Sequence, residues 1–131
     1  MAAKVVMATS MDERLNCANV LTSYASRSNV GEFWLTTGLY PQELLILFTP
    51  ARDVRTVHFI TSNVRKVQVE GSETNSLTTF AKLGETEIGS NKGGLQRESM
   101  ALTSTRPLTY LKFILVSGYE DFASVHSIKF D

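Results

Sequence analysis

The sequence predicts an all-β fold, a two-sheet sandwich or jelly roll of about eight antiparallel strands. Three observations carry this. Short runs rich in Val, Ile, Phe and Tyr alternate with turn residues roughly every 8–12 positions. Two runs, 42–48 and 108–117, are apolar at successive positions, as central strands covered on both faces are. Only one stretch, 16–22, has helical spacing, with Leu15, Ala18 and Leu21 recurring every third residue.

The elements follow in order. Val5, Val6 and Met7 centre an opening strand over 4–9, and the short helix at 16–22 leads into a polar loop over 23–31. Phe33-Trp34, the Thr36-Thr37 pair, Gly38 and Pro41 then read as a buried aromatic anchor followed by a tight corner. Trp34 is expected in the core. After the strand at 42–48 comes one at 54–61, holding Val54, Val57, Phe59 and Ile60. Ser62-Asn63 is a turn signal, and Val67-Gln68-Val69-Glu70 alternates cleanly, so 54–61 and 64–70 read as a hairpin. Phe80 and Leu83 mark one or two strands over 78–88, and the glycine-rich stretch 89–94 is a loop. Strands of uneven pattern at 95–103, of strong pattern at 108–117, and at 124–130 complete the chain.

At 131 residues the chain fits one domain, 1–131, by the usual prior of roughly 100–200 residues per domain. Thirteen basic and thirteen acidic residues cancel, which gives no overall attraction to nucleic acid or anionic membrane. Cys17 is the only cysteine, so no intrachain disulfide forms and a reducing compartment is expected. No apolar run reaches the ~18 residues of a membrane span.

Residues that carry chemistry are sparse. His126 stands near Ser124 and Ser127, yet the Gly-x-Ser-x-Gly elbow is absent and nothing in the sequence brings Asp121 onto it. His58 reads as an ordinary strand histidine, Cys17 as a small hydrophobe, and the glycines as loop residues rather than a phosphate cradle. No catalytic residues are assigned. Arg52, Arg55, Arg65 and Lys66 fall near the expected hairpin, as a solvated face or a contact for an acidic protein patch. Calcium needs several oxygen ligands, and 19–32 offers Asn19, Thr22, Asn29 and Glu32 with one carboxylate among them. Interfaces favour aromatic and arginine anchors, which selects Tyr40, Arg55, Tyr119 and Phe122 as partner-binding residues, with core as the competing place for Phe122.

Beyond these patterns, two blocks resemble a known family. Ala8-Thr9-Ser10, Asp12-Glu13, Asn19-Val20-Leu21, Phe33-Trp34, Thr36-Thr37-Gly38 and Pro41-Gln42-Glu43 form the first. The run 109–117 leading into Phe122-Ala123-Ser124-Val125-His126-Ser127 forms the second. Together they resemble the intraflagellar transport protein 25 family, with a weak match between about 52 and 106. The resemblance implies a galactose-binding-like, discoidin-type jelly roll. It also implies a non-catalytic subunit of the intraflagellar transport B complex, which binds a Rab-like small GTPase subunit and other subunits in cytoplasm and cilium or flagellum.

The same resemblance implies a calcium site formed by an asparagine, an aspartate and a threonine just before the Phe-Trp pair. Asn19 matches the asparagine, whereas Thr22 and Glu32 stand at the other two positions with an insertion between them. A weakened or rebuilt calcium site is therefore expected at Asn19, Thr22 and Glu32. The competing functional class is a carbohydrate- or lipid-binding lectin-like module, which needs exposed aromatics in its loops. The long loop offers only Tyr24, and the 89–94 loop offers none.

Overall fold

The computed structural model describes residues 2–10, 21, 34–36, 39–75, 77, 79–104 and 106–131. Among them run nine strands: β1 (Ala2–Ala8), β2 (Trp34–Leu35), β3 (Gln42–Arg52), β4 (Thr56–Ser62), β5 (Val64–Ser72), β6 (Ala81–Glu87), β7 (Leu95–Ala101), β8 (Leu108–Gly118) and β9 (Ser124–Phe130). They form a five-stranded sheet in the order β1-β3-β8-β5-β6 and a four-stranded sheet in the order β2-β9-β4-β7. All pairings are antiparallel. The all-β jelly-roll sandwich expected from the sequence is the observed fold.

Strand alternation builds the core. Leu44, Ile46 and Phe48 of β3, and Leu111, Phe113 and Leu115 of β8, point from the larger sheet toward Val57 and Phe59 of β4 and Val125, Ile128 and Phe130 of β9. Phe59 meets Phe113 edge-on at 5.2 Å between ring centroids, and Phe48 meets Phe130 at 5.0 Å, a geometry that favours aromatic pairs. Trp34 is fully buried, as expected.

The two runs apolar on both alternations, 42–48 and 108–117, are the neighbouring β3 and β8 in the middle of the larger sheet. Their second face is not capped by the other sheet. Leu45 and Ile114 on that face are nevertheless buried, outside the main core cluster. The long side chains of Met7 and Lys112 stand beside Leu45 in register, and Glu43 and Gln68 beside Ile114.

Several expectations change. β4 and β5 are not a hairpin: β4 pairs with β7 and β9, and β5 with β6 and β8. The Ser62-Asn63 turn, with Asn63 at φ 62°, is a corner that carries the chain from one sheet to the other. Trp34–Leu35 adds a short strand on β9 beyond the runs visible in the sequence. The segment expected as one or two strands over 78–88 contains the single strand β6. Of the expected helix at 16–22 only Leu21 lies among the described residues; it is helical and packs against the core. Cys17 lies outside the described residues.

Candidate functional site

One end of the sandwich gathers the corner at 39–42, Asn63 and the loop between β8 and β9. Gln42, buried at the start of β3, organises its edge. Its carboxamide oxygen accepts from the Thr9 and Ser10 hydroxyls at 2.7 and 2.5 Å, and its nitrogen donates to the Leu39 carbonyl at 2.5 Å. The Trp34 indole N–H donates to the Ser10 carbonyl at 2.6 Å. Thr36 clasps Ala123 through its N–H and hydroxyl, and its hydroxyl oxygen accepts from the Ala123 N–H at 3.0 Å.

On this frame sit three of the four partner-binding residues expected from sequence. The Tyr40 hydroxyl donates to the Glu120 carbonyl at 3.1 Å. The Tyr119 hydroxyl donates to the Ile88 carbonyl at 2.5 Å, while its N–H donates to the Asn63 carbonyl at 2.9 Å. Phe122 follows in the same loop and is 51% exposed, so it belongs to the surface rather than the core. Leu39, which the sequence reading missed, is 84% exposed at the same corner. Its apolar character in the sequence suits the approach to a buried strand equally well, so no local signal sets it apart.

Glu120 and Asp121 stand between Tyr119 and Phe122 in the chain and bring negative charge to the surroundings of Tyr40. Burial, reinforced by Asp121 and Glu120, holds the Tyr40 phenol above its ordinary value. Such a patch is chemically suited to packing against a protein surface with apolar and basic groups, and Tyr40 stays a neutral hydrogen-bond donor there.

Arg55 is not part of this patch. Its N–H donates to the Asp131 carbonyl at 2.7 Å and its carbonyl accepts from the Leu102 N–H, at the opposite end of β4. The strand between spans roughly 20 Å. The basic group is dispersed as well: the Arg52 guanidinium donates to the Phe130 carbonyl and the Lys66 ammonium lies 3.2 Å from Glu85, while Arg65 is exposed. Asn19, Thr22 and Glu32, expected to hold calcium, lie outside the described residues. His126 is the extra residue of a β-bulge in β9, with Nε2 2.9 Å from the Ser124 hydroxyl. Burial lowers its pKa. Among the described residues no helix is long and apolar enough to cross a membrane.

The two-sheet frame is a galactose-binding-like jelly roll. It is similar to the family 32 CBM of Clostridium perfringens NanJ, solved with galactose, at a TM-score of 0.73 and 16% identity over 97% of each chain. It is also similar to the N-terminal domain of the single-strand break repair protein XRCC1, at a TM-score of 0.77 and 14% identity over 97% of this chain and 94% of that one. No family model matches the sequence. Curated proteins do. The human intraflagellar transport protein 25 homolog is 32% identical over 125 residues, covering 95% of this chain and 83% of its own. Intraflagellar transport protein 25 of Chlamydomonas reinhardtii is 34% identical over 124 residues, covering 95% of this chain and 62% of its own. The chain belongs to the intraflagellar transport protein 25 family, whose members are named for transport in the cilium or flagellum.

Proposed function

We propose that this protein is a subunit of the intraflagellar transport B complex, in cytoplasm and cilium or flagellum, that binds and stabilises a Rab-like small GTPase subunit, a role that needs no catalytic step of its own. The observation behind the reading is the family match over 95% of the chain, which spans both sheets. The exposed side chains of Leu39, Tyr119 and Phe122, with the half-buried Tyr40 tied to the same loop through the Glu120 carbonyl, are the surface assigned to that partner. Aromatic side chains on a fixed frame bring contact area at small entropic cost, the usual make-up of binding hot spots. The carbohydrate-binding alternative has only the fold likeness behind it, and a shared fold does not carry a ligand with it.

Co-expression with the small GTPase of the same transport complex, followed by size-exclusion chromatography, tests the proposal. A single co-eluting peak is expected. Phe122→Ala should weaken the pair by about tenfold or more. Arg55→Ala, at the far end of β4, should leave it unchanged. Two separate monomer peaks from the unmodified proteins would sink the reading.

A further inference from the structure

On the outer face of the four-stranded sheet, far from the aromatic patch, three side chains form a chain of hydrogen bonds. His58 of β4 faces Ser99 of β7 directly across the strand pair. Its Nδ1 lies 2.6 Å from the Ser99 hydroxyl, and its Nε2 lies 2.6 Å from Oδ2 of Asp131, just past the end of β9. The ladder explains the close approach. Leu102 N–H donates to the Arg55 carbonyl, so counting along the antiparallel pair puts His58 and Ser99 at a non-hydrogen-bonded position, where facing side chains are closest. By the same alternation the N–H of Ser99 points away from β4, toward the edge of the sheet that β7 forms among the described residues.

The protonation pattern follows from the partners. A carboxylate only accepts, so the Nε2 facing Asp131 carries the proton. In the neutral ring Nδ1 is then the acceptor, and the Ser99 hydroxyl donates to it. The hydrogen bond from His58 holds the Asp131 carboxyl below its ordinary value, keeping it ionised for this role. Beside His58 and Ser99 runs an open groove of about 250 Å³, lined by these two with Phe59, Ile60, Arg97 and Glu98. Arg97 lies two positions from Ser99, hence on the same face, and brings a guanidinium to the groove.

We propose that Ser99, His58 and Asp131 form an acyl-accepting serine centre for small carboxylic esters, an activity separate from partner binding. The Ser99 oxygen attacks the ester carbonyl while its proton passes to Nδ1 of His58. Asp131 steadies the resulting imidazolium, and Arg97 with the Ser99 N–H faces the developing oxyanion. The carbon–oxygen bond to the alcohol breaks as Nδ1 returns the proton to the leaving oxygen, and the acyl group stays on Ser99. Water activated by the same nitrogen then releases the carboxylic acid and restores the serine. Each proton is returned, and no oxidant or metal is consumed.

The test uses p-nitrophenyl acetate with the full chain. An initial burst of nitrophenolate is expected, with one acetyl group found on the Ser99 peptide by mass spectrometry. Ser99→Ala alters one exposed hydroxyl and should melt with the unmodified protein while losing the burst and lowering the rate by about a hundredfold. Asp131→Asn should slow the burst with Ser99 still acetylated. Ser99→Ala hydrolysing as fast as the parent would overturn the proposal. So would acetylation of lysines with Ser99 unmodified, a result that needs no variant.

Discussion

Gln96 concentrates more of the polar interior in one side chain than any other residue of β7. Its oxygen accepts from the Thr61 hydroxyl at 3.0 Å and the Val64 N–H at 3.1 Å. Its nitrogen donates to the carbonyls of Val64 at 2.9 Å and Gly89 at 3.0 Å. All four hydrogen-bonding positions of the carboxamide are used, and the residue is only 5% exposed. Through it β7 is tied to β4, to the first residue of β5 and to the loop after β6. Gln96→Leu keeps the volume but strands a backbone N–H and two carbonyls, so stability should fall by about 3 kcal/mol. Urea unfolding followed by Trp34 fluorescence checks this, since the only tryptophan is fully buried. An unchanged midpoint would show that other groups or water satisfy those atoms. Nothing in the sequence marks Gln96, because an inward amide and an outward amide look alike within an uneven strand.

At the level of elements, the corner between β4 and β5 shows what local pattern conveys and where it stops. The alternation of Val67, Gln68, Val69 and Glu70 identifies a strand, and Ser62-Asn63 identifies a turn. Whether a turn returns the chain to the same sheet or carries it across depends on distant partners, here β7 and β8. The site divides along the same line. Tyr40, Tyr119 and Phe122 were legible by residue type, and Arg55 equally so, but only the fold brings the first three to one end and leaves Arg55 at the other. His58 lies 41 positions from Ser99 and 73 from Asp131, so no sequence spacing links them. The corner also depends on Gly118, the last residue of β8. A Cβ there would stand 2.6 Å from the Tyr40 ring and 2.7 Å from the Asn63 carbonyl oxygen, a backbone atom that cannot swing aside. Gly118→Ala is expected to destabilise by about 1–3 kcal/mol in thermal melts. Gly89→Ala, where an added Cβ meets open space, should stay within about 0.5 kcal/mol and serves as its control. Equal melting of the two variants would mean that Tyr40 and the corner yield without cost.

For the whole molecule, thirteen basic and thirteen acidic residues leave no net self-repulsion near neutrality, so pH acts through individual groups. Burial lowers the pKa of His126, so as pH falls through about 6.5 the unfolded chain takes up a proton before the folded one does. Stability therefore drops on that side. Further down the same sign applies to two carboxylates held below their ordinary values, Asp131 by the hydrogen bond from His58 and Glu85 by those from Lys82 and Lys66. Both are exposed and screened, so their share of the decline is small. On the alkaline side the raised Tyr40 works in the opposite sense. The unfolded chain loses its phenolic proton from about pH 10 upward while the folded chain retains it, and stability declines again as pH rises through the folded value. These four groups make stability fall below about pH 6.5, beginning with His126, and again above about pH 10 through Tyr40. Urea midpoints across these limits, read from Trp34, measure both declines. Replacing His126 with Gln should move the start of the acid limb down to the carboxylate range; a limb that still begins near pH 6.5 would assign it to another group.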